Sequence, residues 1–296
     1  MPAREAVGFC RDRQALTTEI QMNDWLSKLS KNQRVLDLGS GPGSFSYTNW
    51  DCTIIALDTD FTALSRIAAA RAAFAVNSRS HLLPFKDRTF DLIICNNTME
   101  HFEQSRETLT EIGRILAPQG MLIVTLPNGF GFDDNLYRYL MEGGGHVNRF
   151  SFSEIVALVE TLAAIRLVRW HDLYSSYVYL RKPAPSVLPH LRPRFRRIAR
   201  LPAWAFRISQ FALNLFTRFM GRFAGNDIAK YGWALFFARN DAQVQIQQPA
   251  AVNVCMRCGA GHNAVGLRDR RMLRVLYRCP SCGELNPFFR PRGMTI

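Results

Sequence analysis

The sequence predicts an α/β fold: a Rossmann-like, doubly wound and mostly parallel sheet, with an inserted basic amphipathic helical segment and a small C-terminal ribbon. Three observations carry this. Short apolar segments alternate with helical ones between residues 34 and 126, as βαβ units require. A glycine-rich turn, Gly39-Ser40-Gly41-Pro42-Gly43, directly follows the first apolar segment. Two Cys-x2-Cys pairs lie near the C-terminus.

The elements follow in order. Leu16, Ile20, Trp25, Leu26 and Leu29 share a face of a lead-in helix. Strands are expected at Arg34–Leu38, 53–57, 90–95 and 120–126, and helices at 61–73 and 106–116. The strands are almost wholly apolar, so the sheet should be covered on both faces. Residues 151–162 read as a helix with Ser151 as N-cap and Glu154 three residues on, a capping-box spacing. Residues 165–170 and 177–180 read as strands, and 231–238 as the last strand of the sheet. The expected organisation is a core over 1–182, a basic helical insertion over 183–230, a final core strand over 231–240, a linker over 241–251 and the ribbon over 252–296.

Charge is distributed unevenly. Residues 1–172 carry 17 basic and 20 acidic side chains, whereas 173–226 carry ten basic and none acidic. Attraction to an anionic partner therefore belongs to the middle of the chain and its tail, not to the core. No signal peptide and no apolar run of spanning length is found. The expected location is the cytoplasm, with peripheral attachment to the inner membrane as an option. The seven cysteines then read as thiols or metal ligands before disulfides.

The glycine turn has the spacing GxGxG, where a dinucleotide fingerprint needs GxGxxG. Asp37 lies two residues before it, and Asp58 ends the next strand. A pyrophosphate has little use for an acidic neighbour, whereas a ligand with an ammonium and a sulfonium is suited by one. A carboxylate at Asp58 can accept ribose hydroxyls. Further on come Leu83-Pro84-Phe85, Phe90-Asp91 and Met99-Glu100-His101. With these motifs in this order, the stretch from Arg34 to Asn128 resembles the class I S-adenosylmethionine-dependent methyltransferases. The resemblance implies that Asp37, Gly39, Ser40, Gly41 and Gly43 surround the methionine moiety. It places Asp58 and Thr59 at the ribose and Asn96 near the sulfonium. Where the family usually has an acid before the Leu-Pro-Phe motif, this chain has Asn77-Ser78-Arg79-Ser80, which makes Ser78 or Asn77 the candidate for adenine. The segment 44–50 is short for the usual first helix.

In-line methyl transfer draws much of its acceleration from positioning, and an alcohol or phenol acceptor also wants a base. The candidates are His101, at the carboxyl edge of the sheet, and His146, in a glycine-rich loop, with Tyr137 and Arg149 beside the same acceptor cleft. A purely structural His101 is the competing reading. Asn96-Asn97-Thr98-Met99 lacks the proline-aromatic motif of base N-methylation.

Around residues 204–223, Arg207, Gln210, Asn214, Thr217, Arg218 and Gly221 form a narrow polar face, and aromatic and aliphatic residues fill the rest. Arg192, Arg194, Arg196, Arg197 and Arg200 precede it. This pattern suits an interfacial helix on an anionic membrane; packing on the core, or in a homodimer, competes, and nucleic acid is less expected. Cys255, Cys258, Cys279 and Cys282 have the spacing of a structural four-cysteine Zn2+ ribbon. Cys10, Cys52 and Cys95 have no such partner, and His262, between the pairs, reads as a surface residue. The leading functional expectation is methylation of a lipid, lipid-linked glycan or related small molecule. RNA methylation and a non-catalytic scaffold are the alternatives.

Overall fold

The computed structural model describes residues 29–289 apart from 49, 71, 142–145, 184, 225–227, 240–252, 263–266, 268–270 and 273–275. Most of the expected lead-in helix, Cys10, the glycines at 143–145 and the linker at 241–251 lie outside the described residues. The chain builds a seven-stranded sheet from β1 (Arg34–Leu38), β2 (Thr53–Asp58), β3 (Phe74–Asn77), β4 (Phe90–Asn96), β5 (Leu116–Pro127), β6 (Arg166–Tyr174) and β7 (Lys230–Ala238). Their spatial order is β3-β2-β1-β4-β5-β7-β6. β7 runs antiparallel to both β5 and β6, while β3-β2-β1-β4-β5 pair in parallel.

The period-two alternation of these strands sends side chains to both faces. Leu36, Ile93, Leu122 and Val124 pack with Leu109 and Ile112 of helix α2 (Ser105–Ile115). Ile155 and Val159 of helix α4 (Phe152–Leu162) complete that face. Val35, Leu92, Ile94 and Ile123 face the other way, onto Leu64 and Ile67 of helix α1 (Phe61–Ala69). Burial on both sides explains the apolar strands. The strand order reverses between β1 and β4, so their carboxyl ends open the crevice where such sheets bind ligands. Close pairing of β7 requires Gly232, where a Cβ would stand 2.0 Å from the Leu126 carbonyl oxygen.

Local signals explain most boundaries. Asp60 caps α1 by accepting from the Thr62 and Ala63 amides, and the Ser151–Glu154 capping box starts α4. Three expectations need correction. Residues 177–180 are not a strand: Tyr177 is left-handed (φ 49°), and Val178–Leu180 is a 3-10 turn. The helix expected to reach residue 73 ends at Ala69, and β3, which follows, is a mostly exposed edge strand without a clear apolar alternation. No element is expected between 127 and 150, yet helix α3 (Phe132–Leu140) forms there, ahead of the glycine-rich loop.

A short helix, α5 (Pro193–Arg196), leads to the long α6 (Ala203–Ala224). The orientation of α6 inverts the usual rule. Its polar stripe is inside: Gln210, Asn214, Thr217 and Arg218 are 0–8% exposed. Gln210 and Asn214 donate to the Ser176 carbonyl, and Arg218 donates to that of Ser175. Trp204, Ile208, Leu215, Phe216 and Phe219 are 45–64% exposed. The same polar stripe holds the C-terminal ribbon, because Gln210 and Arg181 both donate to the Met256 carbonyl, and Arg207 pairs with Glu284. The Arg218 guanidinium stacks 5.0 Å from the ring of Phe289.

Candidate functional site

Three groups of side chains concentrate the chemistry. The first is the turn after β1. Gly39, Gly41 and Gly43 have φ of 71°, 53° and 116°, conformations that only glycine adopts cheaply. A Cβ on Gly39 would lie 2.9 Å from the Thr98 side chain, so the turn is pressed onto the segment after β4. Asp37 is wholly buried. Its carboxylate accepts from the Ser44 amide (3.0 Å), the Ser44 hydroxyl (2.7 Å) and the Tyr47 hydroxyl (2.5 Å). These three bonds brace the glycine turn from the end of β1, where the resemblance sets Asp37 beside the methionine moiety. The Tyr47 hydroxyl, pushed far up by burial and by the Asp37 charge, stays a neutral donor.

Asp58 stands at the end of β2, half-buried. Its oxygens accept the amides of Gly41 (2.7 Å) and Asp60 (2.8 Å), and a carboxylate is the acceptor type that ribose hydroxyls need. Thr59 beside it is exposed. The Ser78 hydroxyl donates to the Leu82 carbonyl, and Asn77 donates to the Asp58 carbonyl. Asn77 and Ser78, which the resemblance offers for adenine, thus both stand at the end of β3 beside Asp58. Asn96, buried, bonds Thr125 (2.5 Å) and reaches the Ser44 carbonyl (3.5 Å), linking β4 to the glycine turn. Ser40 is buried in the same turn, and its amide and that of Gly39 both bond the Leu57 carbonyl. The bare glycine surface, a ribose-competent carboxylate and these bracing contacts fit an S-adenosylmethionine site, which Gly39, Gly41, Gly43, Asp58 and Asn96 would line. Gly39→Ala is expected to weaken S-adenosylmethionine binding at least tenfold in isothermal titration, about 1.4 kcal/mol.

The second group joins the two histidines, whose rings meet edge to face at 4.9 Å. His101 sits in the turn Met99–His101, and His146 is fastened to that turn because the Val147 and Asn148 amides both donate to the Glu100 carbonyl. The Asn148 side chain adds bonds to the Met99 and Phe102 carbonyls. His146 Nδ1 lies 2.6 Å from Asp134 Oδ1, and Arg138 Nε lies 2.6 Å from Asp134 Oδ2. Burial would raise the Asp134 carboxyl, but the hydrogen bonds and charges of His146 and Arg138 outweigh it and hold it below its usual range. Tyr137 packs its ring 5.1 Å from His146, whereas Arg149 is exposed. Sequence reasoning misses Asp134 and Arg138. Their i,i+4 spacing, with two acids in the first turn and an arginine in the last, is the helix signal that points to them.

The third group is the cysteine cluster. The sulfurs of Cys255, Cys258, Cys279 and Cys282 all lie within 4.8 Å of one another. Cys255 Sγ accepts from the Arg257 amide and Asn286 Nδ2, donors that suit a thiolate. Burial pushes the Cys258 thiol up to about 11; four sulfurs this close together are a donor set that fits Zn2+. His262 is half-buried, 3.4 Å from Cys279 Sγ, not a surface residue as expected. Among the described residues, Cys52 and Cys95 take part in no disulfide.

Comparison with known proteins is consistent with this geometry. The chain is 40% identical over 98 residues to an uncharacterized protein of Methanocaldococcus jannaschii, covering 33% of this chain and 42% of that one. It is 31% identical over 122 residues to a ubiquinone/menaquinone biosynthesis C-methyltransferase of a Ruegeria species, covering 36% and 48%. The chain thus spans under half the length of these relatives. A solved structure from Anabaena variabilis, described as a candidate methyltransferase of an antibiotic biosynthesis pathway, superposes with a TM-score of 0.50 at 12% identity, covering 76% of this chain and 99% of that one. That likeness speaks to the fold alone. The family model of the methyltransferase domain matches residues 13–162, half of the chain, and the chain belongs to that family, the class I S-adenosylmethionine-dependent methyltransferases.

Proposed function

We propose that this methyltransferase modifies a lipid or lipid-linked acceptor at an anionic membrane surface. The observation that carries the reading is the outward apolar face of α6. Trp204, Ile208, Leu215, Phe216 and Phe219 project away from the protein, and Ile198 and Leu201 extend the exposed apolar surface. Arg192, Arg194, Arg196, Arg197 and Arg200, all exposed, stand just before it. Apolar burial supplemented by about 1 kcal/mol per basic residue is how interfacial helices hold to anionic leaflets. No described helix is long and apolar enough to cross a membrane.

The basic segment is also joined to the acceptor side. Arg194 stacks 4.2 Å from the Tyr139 ring of α3, and the Arg192 amide and side chain bond the Leu140 and Arg138 carbonyls. α3 in turn carries Asp134 and Arg138, which hold His146. When bound, S-adenosylmethionine supplies a methyl group on a sulfonium, which leaves as a thioether while an acceptor lone pair bonds the methyl carbon. The protein's own part is to hold the acceptor beside the turn after β4, where His101 and His146 are the candidate groups to touch it.

Flotation with phosphatidylcholine vesicles, with and without phosphatidylglycerol, tests the surface. Full-length protein should rise with the anionic vesicles only. The triple variant Trp204→Ser, Phe216→Ser, Phe219→Ser should stay at the bottom with its melting temperature nearly unchanged, since those side chains are exposed. Wild-type protein remaining at the bottom, or radiolabelled methyl appearing in RNA and not in lipid, counts against the proposal.

A further inference from the structure

We infer that Asp134 is the positioning residue for His146, that His146 Nε2 is the general base of the reaction, and that the group methylated is a hydroxyl. This deepens the methyl-transfer reading and rests on it. The argument begins with what the two atoms can share. Asp134 lies on α3 with its side chain fully buried, and both oxygens are committed, one to His146 Nδ1 and one to Arg138 Nε, each at 2.6 Å. An ionised carboxylate donates nothing, so the proton between Asp134 and His146 belongs to Nδ1. In the neutral ring the Nε2 atom then carries the lone pair, the form a proton acceptor needs.

The loop and its ring are held from other sides too, and the buried Glu100 carboxylate lies within 4.8 Å of ring nitrogens of both His101 and His146. Arg138 donates to the backbone carbonyls of His146 and Asn148, Tyr137 covers one side of the ring, and His101 meets it edge to face. Through Val147 and Asn148 the loop is tied to Glu100, in the Met99–His101 turn whose flanking Thr98 and Phe102 lie against Gly39. A surface histidine that merely packs needs none of this. The arrangement has the logic of a base held by a third group.

The chemistry favours one acceptor. An amine can lose its proton to water before it binds and then attack unaided, whereas a hydroxyl, far too weak an acid for that, is a poor nucleophile until a base in the site takes its proton. In the proposed step the acceptor O–H proton passes to Nε2 as the oxygen lone pair bonds the methyl carbon. His146 becomes an imidazolium with Asp134 as its counter-ion and later releases that proton to solvent. No oxidant or further reactant is required.

Histidine side-chain 15N–1H NMR on the full chain tests the inference without an identified acceptor. Neutral His146 should carry its proton on Nδ1, with a slowly exchanging downfield resonance that is lost in His146→Gln and weakened in Asp134→Asn. A proton on Nε2 in the wild type overturns it. With S-adenosylmethionine and a bacterial polar-lipid extract, Asp134→Asn should lower kcat about 100-fold and leave cofactor affinity unchanged. The labelled product should be a methyl ether; a C-methyl or N-methyl product, or wild-type turnover in Asp134→Asn, overturns the assignment. Wild-type protein that fails to bind S-adenosylmethionine in isothermal titration would instead defeat methyl transfer itself, a failure separate from the tautomer result.

Discussion

Asp37→Ala should abolish measurable S-adenosylmethionine binding and lower the unfolding free energy by about 3–5 kcal/mol, the usual cost of stripping one partner from a buried charged cluster. Three donors converge on that carboxylate. Removing it takes from the Ser44 amide and the Ser44 and Tyr47 hydroxyls the acceptor they share, and each buried group left unsatisfied costs about 1–3 kcal/mol. The glycine turn loses its far anchor at the same time. Asp37→Asn is the graded control: one oxygen remains, so stability should fall by less while cofactor binding still weakens. Chemical denaturation and isothermal titration on the two variants check both parts. A stable Asp37→Ala variant with wild-type affinity would show that the loop holds its shape without the clamp.

Cys279→Ser should abolish zinc binding at the cysteine cluster and unfold the ribbon while the seven-stranded sheet persists. Among the described residues, the ribbon's core cluster is Cys255, Ala260, Leu267, Tyr277, Cys279 and Phe288, with Cys258 and Cys282 packed against it. Small units of this kind lean on a staple, and structural zinc contributes on the order of 10–16 kcal/mol in isolated fingers. The knuckle residue Met256 accepts from Gln210 and Arg181, so loss of the ribbon also strips acceptors from the polar stripe of α6. Metal analysis should fall from one equivalent of zinc, and amide exchange should rise in 253–289 and along α6 but not in β4 or β5. A variant that keeps one equivalent of zinc, or a wild type that never holds it, speaks against a four-cysteine site.

Where the sequence is legible, the physics is local or periodic. β4 and β5 announce themselves as apolar runs because both faces of the sheet are covered. The capping box of α4 and the GxGxG turn depend on residues within a few positions of one another. The cysteine spacing works because each knuckle is a local turn. What escapes a reading of the sequence depends on tertiary partners. β3 is an edge strand with little buried surface, and residues 177–180 turn because Tyr177 tucks its side chain under α3, near Phe132 and Tyr179. The chemical pair is half visible: His146 stands out by type, but Asp134 reads as an ordinary helix-start acid until the fold brings it to the imidazole. Asp37 stands out for its charge, and only the structure shows the three donors that converge on it. For α6 the helical wheel displays two faces correctly but cannot say which is inside.

That inversion has a consequence for how the protein meets a surface. Helices that hide an apolar face must first undock before lipid can reach it, so their attachment is gated by a conformational change. Here the joint between helix and body is made of hydrogen bonds, and the greasy side already looks outward. Attachment would need no unlatching and would track lipid composition and ionic strength alone. The cost is colloidal: in lipid-free water the same side offers itself to any neighbour, so handling without detergent favours clustering through α6 while the fold of each molecule stays intact.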